Sequence, residues 1–227
     1  MNYSGWELGF FDKSKNFRYY QFSLIKKFLK DKILEIGPGN GVLAETYLQK
    51  YYSDISLSEL DPKLNRKLVR KFKNSKNVKI YKKKIRNFKG KFNSIIYSDV
   101  IEHIQDDIKE VESAYSKLKK NGHLIIMVPA FQYLYSDYDK SIGHFRRYQK
   151  KRFKDLAKKN KWKIEKMIYF DSIGFLFGLM SKILNSRNQN NVKFGALIWN
   201  FLIPLSKILD ILLNNSVGKS LLCVYKK

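Results

Sequence analysis

The sequence predicts an α/β protein with a doubly wound, mostly parallel seven-stranded sheet and an apolar helical insertion before the last strand. Three observations lead to this fold class. Short apolar runs alternate with amphipathic stretches over residues 18–170, which is the spacing of strands joined by crossover helices. A glycine-rich turn follows the first apolar run, as is typical where a parallel strand passes into a helix. Residues 172–217 are apolar at helical spacing, and one more short apolar run follows them.

The strands are predicted from short apolar runs that are bounded by glycine, lysine or other polar residues. They cover residues 33–36, 55–58, 78–82, 94–97, 123–128, 163–170 and 220–225. The helices cover residues 18–29, 41–50, 62–74, 106–118 and 151–160, and a polar, aromatic loop covers residues 130–148. Pro62 suits the first turn of its helix, where a missing N–H is tolerated. Asn121 and Gly122 are expected to end the fourth helix, because glycine is favoured just beyond a helix end.

We expect residues 1–227 to form a single domain, in which residues 1–30 cover the functional site and residues 172–217 form the apolar insertion. The polar residues near the end of the insertion follow one narrow stripe at helical spacing: Lys193, Asn200, Lys207, Asp210 and Asn214. A wide apolar face remains opposite this stripe. That face needs cover from its own domain, from a second copy of the chain in a homodimer, or from a membrane surface.

Composition restricts the class of protein. The 227 residues contain 45 Lys and Arg against 20 Asp and Glu, a formal net charge of +25, which attracts anionic lipid surfaces or phosphate backbones. The single cysteine, Cys223, excludes an internal disulfide and a thiolate zinc site. Three histidines are few for a histidine-rich cage, so we expect no metal. The single thiol and the lack of a recognisable export signal predict a cytoplasmic protein, or one peripheral on the inner face of the membrane.

The most informative stretch is the first apolar strand with the G-x-G-x-G turn that follows it, formed by Gly37, Gly39 and Gly41. Glycines let the backbone turn sharply and leave room for a ligand, although an ordinary tight strand–helix connection is the alternative. Glu59 follows the second strand, 20 residues after Gly39, where an acid can accept both hydroxyls of a ribose. Because the turn differs from G-x-G-x-x-G and no P-loop occurs, the pattern favours a nucleoside without a pyrophosphate.

With these residues the sequence resembles the class I S-adenosylmethionine-dependent methyltransferases over residues 17–170. The stretches that carry the resemblance are LEIGPGNG at 34–41, SELDP around Glu59, IIYSDVIEHI at 95–104 and GHLIIMVP at 122–129. The chain is most similar to the small-molecule branch, in which EHI follows the fourth strand and a G-H-x-R-R-Y element, here residues 143–148, follows the fifth. The resemblance implies a Rossmann-like methyltransferase fold and the cofactor S-adenosyl-L-methionine, with S-adenosyl-L-homocysteine as its product.

The resemblance also implies that the cofactor lies across the ends of the first, second and fourth strands. The residues it assigns to the cofactor are Arg18, Tyr20, Glu35, Gly37, Gly39, Gly41, Glu59, Leu60, Asp99 and Val100. Glu35 and the glycines would line the methionine part, Glu59 would hold the ribose, and Leu60 would pack on the adenine. Lys84 departs from the family, because many relatives carry an acid there for the adenine amino group. A lysine cannot accept that hydrogen bond, so backbone atoms would bind the adenine.

On the acceptor side, a hydroxyl or ammonium acceptor needs its proton removed, and His144 is the candidate base because histidine titrates near neutrality. A hydrogen bond that fixes the loop is the alternative role of His144. Arg146 and Arg147 can bind a phosphate or carboxylate of the acceptor, or pair with Asp137, Asp139 or another nearby acid. His103 is either structural or in contact with the acceptor or the cofactor. The acceptor-side residues predicted in this way are His103, Tyr138, Arg146, Arg147 and Tyr148.

Two acceptor classes are set aside by the motifs. The fourth strand ends in SDVI at residues 98–101, not in the (D/N)-P-P-(Y/F/W) motif of enzymes that methylate exocyclic base amines, and no Pro-Cys nucleophile for cytosine C5 occurs. Nucleic acid is therefore the less favoured partner. The preferred acceptor is a small molecule, or a lipid or glycan intermediate near an anionic membrane. An RNA methyltransferase and a non-catalytic cofactor-binding module are the alternatives.

Overall fold

The computed structural model describes residue 9 and residues 12–183 and 189–227. Seven strands form one sheet in the order β3-β2-β1-β4-β5-β7-β6, which confirms the predicted fold class. All neighbouring strands are parallel except β7, which lies antiparallel between β5 and β6. Part of the predicted N-terminal cover, residues 1–8 and 10–11, lies outside the described residues.

The strands and helices have the following bounds. The strands are β1 (Ile33–Ile36), β2 (Ile55–Ser58), β3 (Val78–Tyr81), β4 (Phe92–Ser98), β5 (Leu118–Pro129), β6 (Lys163–Phe170) and β7 (Ser220–Lys226). The helices are α1 (Lys15–Ile25), α2 (Gln49–Tyr51), α3 (Pro62–Lys71), α4 (Asp107–Ser116), α5 (Asp137–Ser141), α6 (Lys150–Asn160), α7 (Ser172–Ile183) and α8 (Gln189–Leu212). A π-helical turn, Ala44–Leu48, leads into α2, and single 3₁₀ turns follow α1, β3, β4 and β5.

Helices cover both faces of the sheet, and each face has its own apolar core. One core packs α1, the π-helical turn, α3 and α8 against the sheet, with Leu68 and Trp199 among its members. The other packs α4 and α6 against the opposite face, with Val111 and Phe153 among its members. Strands buried on both sides are expected to be continuous apolar runs, and β1 is buried along its whole length. The apolar runs therefore identified the central strands correctly.

The segment between α4 and β5 differs from the prediction. The helix was expected to reach residue 118 and to be closed by Gly122, but α4 ends at Ser116 and Gly122 lies inside β5. A Cβ at Gly122 would lie 2.9 Å from the carbonyl oxygen of Lys119 and 3.0 Å from that of Asn93, so close backbone approach explains this glycine.

The predicted loop at residues 130–148 is not wholly irregular, because it contains the 3₁₀ turn Gln132–Leu134 and the short helix α5.

Helix α8 turns its polar side chains towards the protein. Its buried face is formed by Trp199, Ile203, Ser206 and Asp210. Asp210 accepts hydrogen bonds from the Tyr20 hydroxyl at 2.6 Å and from the backbone N–H of Ser172, the first residue of α7, at 2.8 Å. The predicted polar stripe therefore joins α8 to α1 and α7, although the side chain of Lys193 lies outside the part that is described.

Apart from Trp199 and Ile203, the large apolar side chains in the described part of α8 lie mostly on the side that faces away from the protein. Phe201 is 76% exposed and Ile211 is 74% exposed. Other exposed apolar side chains of the insertion are Leu176, Met180, Leu197, Ile198, Leu205, Ile208, Leu212 and Leu213. By length and composition alone, residues Gly195–Leu212 are apolar enough to cross a membrane. One side of this helix nevertheless packs on α1, where Asn200 and Asp210 accept hydrogen bonds from Phe17 and Tyr20. We call the outward face the apolar face of α8.

Candidate functional site

The predicted site lies at the carboxyl edge of the parallel strands. In the register of the sheet Ile36 of β1 pairs with Ser58 of β2 and with Tyr97 of β4, so the residues after these three strands are neighbours. Gly37, Glu59 and Asp99 are therefore brought together at one edge. Crevices outside the carboxyl ends of strands are where ligands bind in open α/β sheets.

Glu59 faces the glycine turn, as the spacing predicted. Its Oε2 accepts a hydrogen bond from the backbone N–H of Gly39 at 3.2 Å, and its Oε1 accepts one from that of Asp61 at 3.0 Å. Burial raises the pKa of Glu59, and the backbone N–H donors of Asp61 and Gly39 oppose this shift. Because each carboxylate oxygen has two lone pairs, Glu59 keeps the capacity to accept two ribose hydroxyls.

The glycines of the turn serve two different purposes. A Cβ at Gly37, where φ is +63°, would lie 2.8 Å from the Val100 side chain at the end of β4. A Cβ at Gly41, where φ is +73°, would lie 2.7 Å from Leu68 and 2.9 Å from Phe72. Gly37 thus keeps open the gap between the turn and Val100. At Gly41 the missing side chain lets the turn pack closely against Leu68 of α3 and against Phe72 just beyond α3.

Glu35 and Arg18 each hold a buried polar atom without a partner among the described residues. Oε2 of Glu35 and Nε of Arg18 form no hydrogen bond there. Burial raises the pKa of Glu35 to about 8, and the nearby guanidinium of Arg18 opposes the shift. An amino-acid group fits this pair, since its ammonium can donate to Glu35 and its carboxylate can accept from Arg18. The residues present therefore fit the methionine part of S-adenosylmethionine.

Gln21 is a residue of this edge that the sequence analysis missed. It accepts a hydrogen bond from Arg18 at 2.8 Å and donates one to Asp99 at 3.3 Å. Arg18 also lies 3.9 Å from Asp99. Asp99 itself has φ +55°, an uncommon backbone conformation for a residue other than glycine. Little in the sequence indicated this role, because a glutamine in an amphipathic helix is usually one of its solvent-exposed polar residues, and only the structure shows that Gln21 is buried.

Tyr20 does not face this edge, contrary to the prediction. It is buried, its ring packs edge-on against Phe170, and its hydroxyl donates to Asp210. Leu60, in contrast, is about half exposed beside Glu59, as a residue that packs on a flat ring would be. The structure therefore gives Tyr20 a place in the core and leaves Leu60 available to a ligand.

The EHI and G-H-x-R-R-Y elements, about 40 residues apart in the sequence, meet in space. The backbone N–H of Phe145 donates to the carbonyl of Glu102 at 2.8 Å, and Arg146 donates to the carbonyl of Ile104 at 3.1 Å. The rings of His103 and His144 meet edge-on, with centroids 4.6 Å apart. Burial, followed by the neighbouring His144, lowers the pKa of His103 to about 4, so this ring is neutral at pH 7.

Asp139 binds both His144 and Arg147. Its Oδ1 lies 2.8 Å from Nδ1 of His144, and both its oxygens accept from Arg147 at 2.9 Å. Although burial works against it, the hydrogen bond from His144 and the charge of Arg147 lower the pKa of Asp139 to about 2. A carboxylate can only accept, so Nδ1 of His144 carries a proton, and in the neutral ring the lone pair is then on Nε2. Of the two roles considered for Arg147, the structure shows the ion pair with an acid of the same chain.

Asp107 binds the last residues of the element. It lies 2.9 Å from Arg146, and its Oδ2 accepts from the hydroxyl of Tyr148 at 3.0 Å. Tyr148 is buried, with its ring stacked on Phe153, so its prediction as an acceptor residue is corrected to a structural role. Arg146 is committed to Asp107 and to backbone carbonyls. Tyr138 lies in α5, partly buried, and its acceptor role stays a prediction.

Lys219, just before β7, is a partly buried lysine whose position the sequence analysis did not predict. Its Nζ lies 3.8 Å from the centre of the Trp199 ring and 4.0 Å from Asp171. Burial lowers its pKa, and the charges of Asp171 and Asp99 oppose this shift. No pattern separates this lysine from the many exposed ones, because its surroundings come from α8 and β6.

The site consists of a glycine turn after the first strand, a carboxylate after the second, and the buried pair of Glu35 and Arg18 beside them. These groups fit the ribose and the amino-acid part of S-adenosylmethionine. Together with the strand order and the antiparallel β7, they define the class of protein. The chain is a class I S-adenosylmethionine-dependent methyltransferase.

Comparison with known proteins places the chain in a family. The sequence profile of a methyltransferase domain family matches residues 11–166, and the chain belongs to this family. No protein of curated function matches the sequence.

Several solved structures share the fold. A SAM-dependent methyltransferase from Archaeoglobus fulgidus has a TM-score of 0.64 at 14% identity, over 97% of each chain. The N-methyltransferase NodS from Bradyrhizobium japonicum has a TM-score of 0.59 at 13% identity, over 95% of this chain and 98% of that one. Phosphoethanolamine N-methyltransferase 2 from Haemonchus contortus, in complex with S-adenosyl-L-methionine, has a TM-score of 0.66 at 16% identity, over 99% of this chain and 58% of that one.

Proposed function

We propose that this methyltransferase modifies a small molecule, or a lipid or glycan intermediate, that is presented at an anionic membrane surface. The observation that carries the proposal is the apolar face of α8, whose Leu197, Phe201, Ile211 and Leu212 are each more than two-thirds exposed. Such a contiguous face is unfavourable in water at about 25 cal/mol for each Å². The net charge of +25 complements acidic lipid headgroups. The enzyme is then peripheral on the inner face of the membrane.

The packing of α8 favours lying on a membrane over spanning it. Trp199, Ser206 and Asp210 are buried against the domain and hold hydrogen bonds there. A spanning helix would have to break these bonds and bring a carboxylate into hydrocarbon. A helix with one face in the protein and its apolar face outward can instead enter the headgroup region sideways.

The cofactor is held, in this proposal, by the residues at the carboxyl edge. When bound, S-adenosylmethionine supplies a methyl group that its sulfonium makes electrophilic. Glu35 accepts from the ammonium, and Arg18 donates to the carboxylate. Glu59 accepts from the ribose hydroxyls, and Leu60 offers an apolar surface to the adenine.

His144 acts on the acceptor through Nε2. Asp139 fixes the ring by accepting from Nδ1 at 2.8 Å, and Arg147 fixes Asp139 in turn. A histidine oriented by a carboxylate can remove the proton of an acceptor hydroxyl or ammonium. The charge of Arg147 is neutralised within this group, so its role is to position His144.

Co-sedimentation with vesicles tests the membrane proposal. The wild-type chain is expected to pellet with vesicles that contain phosphatidylglycerol at low salt, and to be released at high salt. A Phe201→Ser, Ile211→Ser variant is expected to stay in the supernatant. A Tyr51→Ser, Val69→Ser variant removes two other exposed apolar side chains and should pellet like the wild type. If the wild type stays in the supernatant, or if both variants pellet equally, the proposal fails. A dimer that only the first variant dissociates would assign the apolar face to a second copy.

An acceptor screen tests the substrate class. Cell extract is incubated with enzyme and cofactor labelled in the methyl group, and the extract is then divided into lipid, small-molecule and RNA fractions. Label in either of the first two fractions supports the proposal, and label in RNA supports the alternative. A Glu59→Ala variant serves as the control for cofactor-dependent labelling. Cofactor binding without transfer to any fraction would favour a non-catalytic module.

A further inference from the structure

Glu102 is a buried acid whose surroundings inside the chain leave it unsatisfied. Its side chain is fully buried, and neither carboxyl oxygen has a hydrogen-bond partner among the residues that the structure describes. A buried carboxyl group without any partner is costly. Such a group in a folded protein calls for a water or an ion beside it.

Two histidine rings lie beside Glu102. Oε1 of Glu102 lies 3.8 Å from Nε2 of His144, which is beyond hydrogen-bond distance. The ring of His103 packs edge-on against that of His144, at a centroid distance of 4.6 Å. Glu102, His103 and His144 each offer one ligand atom, and these three atoms all lie within 4.8 Å of one another.

We propose that Glu102, His103 and His144 bind a divalent transition-metal ion. Two ligand atoms at about 2.1 Å from a common ion lie about 3.4 Å apart at the tetrahedral angle. The three separations, all within 4.8 Å, therefore need to contract by up to about 1.4 Å when an ion binds. Two imidazoles and one carboxylate are a donor set of zinc, and of manganese, iron and cobalt, whereas Mg²⁺ and Ca²⁺ prefer oxygen alone.

The contacts of His144 agree with a ligand role. A metal-binding histidine typically donates its other ring N–H to a carboxylate, which fixes the ring and its tautomer. His144 makes this contact with Asp139, and Arg147 holds Asp139 from the other side. In the neutral ring this contact leaves the lone pair that a metal ion requires on Nε2, which lies 3.8 Å from Oε1 of Glu102.

Three protein ligands leave at least one coordination position open. An acceptor oxygen bound there would lose its proton more easily, since a metal ion lowers the pKa of bound oxygen ligands. This last step rests on the proposed methyl transfer, and in it the metal ion replaces His144 as the group that activates the acceptor. The sequence analysis expected no metal because three histidines are few, but this cluster needs only two of them.

Titration with Co²⁺ tests the site in the full-length chain without a histidine tag. Wild-type protein is expected to bind one ion per chain, with visible absorption bands that Zn²⁺ abolishes. Glu102→Gln and His144→Gln are expected to lose the bands. Asp139→Asn should keep them but weaken binding by about 10–100-fold. His123→Gln is the matched control, because this third histidine is bonded to Glu165 and packs on Phe28.

The outcomes separate this site from the proposed function. Absence of the bands in the wild type overturns the metal site, as does equal loss in His123→Gln and His144→Gln. Calorimetry with S-adenosylhomocysteine on the same samples reports the cofactor site independently. If the protein binds S-adenosylhomocysteine but not Co²⁺, the metal site is refuted and His144 remains the proposed base. If it binds Co²⁺ but not S-adenosylhomocysteine, the metal site stands and the proposed methyl transfer is refuted.

Discussion

Glu35 links cofactor binding to pH, and the link can be measured. The pKa of Glu35 is raised to about 8 in the cofactor-free chain, chiefly by burial. Most of these carboxyl groups therefore carry a proton at neutral pH. The proposed contact with the ammonium of the cofactor requires the carboxylate, so binding must release this proton.

The sign and size of the effect follow from linkage. The bound state holds fewer protons than the free state, so affinity rises with pH. Below the pKa each pH unit costs about 1.4 kcal/mol of binding free energy, which is a tenfold change in Kd. Between about pH 6 and about pH 8 the affinity for S-adenosylhomocysteine should therefore rise by about 50-fold, and by at most about twofold more above about pH 8.

Isothermal titration calorimetry in two buffers of different ionisation enthalpy measures both Kd and the protons released. Wild type should release almost one proton per bound molecule at neutral pH. Glu35→Gln should bind more weakly, with a Kd that barely changes with pH. Glu45→Gln is the control, since Glu45 is an exposed carboxylate paired with Lys71. A wild-type Kd that is constant over this pH range, or an unchanged slope in Glu35→Gln, would refute the reasoning.

Three further predictions concern stability, each measured by urea unfolding of the cofactor-free chain. Because the pKa of Glu35 is raised on folding from 4.5 to about 8, its contribution to stability is lost as pH rises through that range. Glu35→Gln should therefore gain a few kcal/mol relative to wild type towards about pH 8. Asp210→Ala leaves buried donors without an acceptor and should cost at least about 3 kcal/mol, whereas Asp155→Ala on the surface should cost under about 1 kcal/mol. Gly41→Ala should cost about 2–4 kcal/mol through its positive φ and steric overlap, while Gly90→Ala, with open space around it, should be nearly neutral.

The parts of the fold that the sequence predicts are those set by local patterns. Strands such as β1 are buried over their whole length, and in β1 every residue but Glu35 is apolar, because helices cover both faces of the sheet. The start of β5 was assigned to a helix because its Lys-Lys-Asn-Gly sequence carries no strand pattern. Pairing supplies the missing information, since Asn121 and Gly122 exchange backbone hydrogen bonds with Lys227 at the end of the chain.

The same distinction holds at the candidate site. Glu59 could be predicted to face Gly39, because neighbouring parallel strands fix where the residues after them lie. Tyr20 could not be placed from sequence, because its partner Asp210 is 190 residues away on a helix whose orientation only tertiary packing decides. Tyr148 was misassigned for a related reason, since its partner Asp107 begins a helix on the far side of the loop.

The G-H-x-R-R-Y element is best explained by where its polar groups are used. Arg146, Arg147 and Tyr148 all bind acids of the same chain, and the backbone of Phe145 binds Glu102. Nδ1 of His144 is likewise bound, to Asp139. These contacts leave Nε2 of His144 at a fixed position beside Glu102, whose oxygens have no partner in the described chain. The two arginines of this element can therefore be explained by their role in holding the loop that positions Nε2 of His144, without any contact to the acceptor.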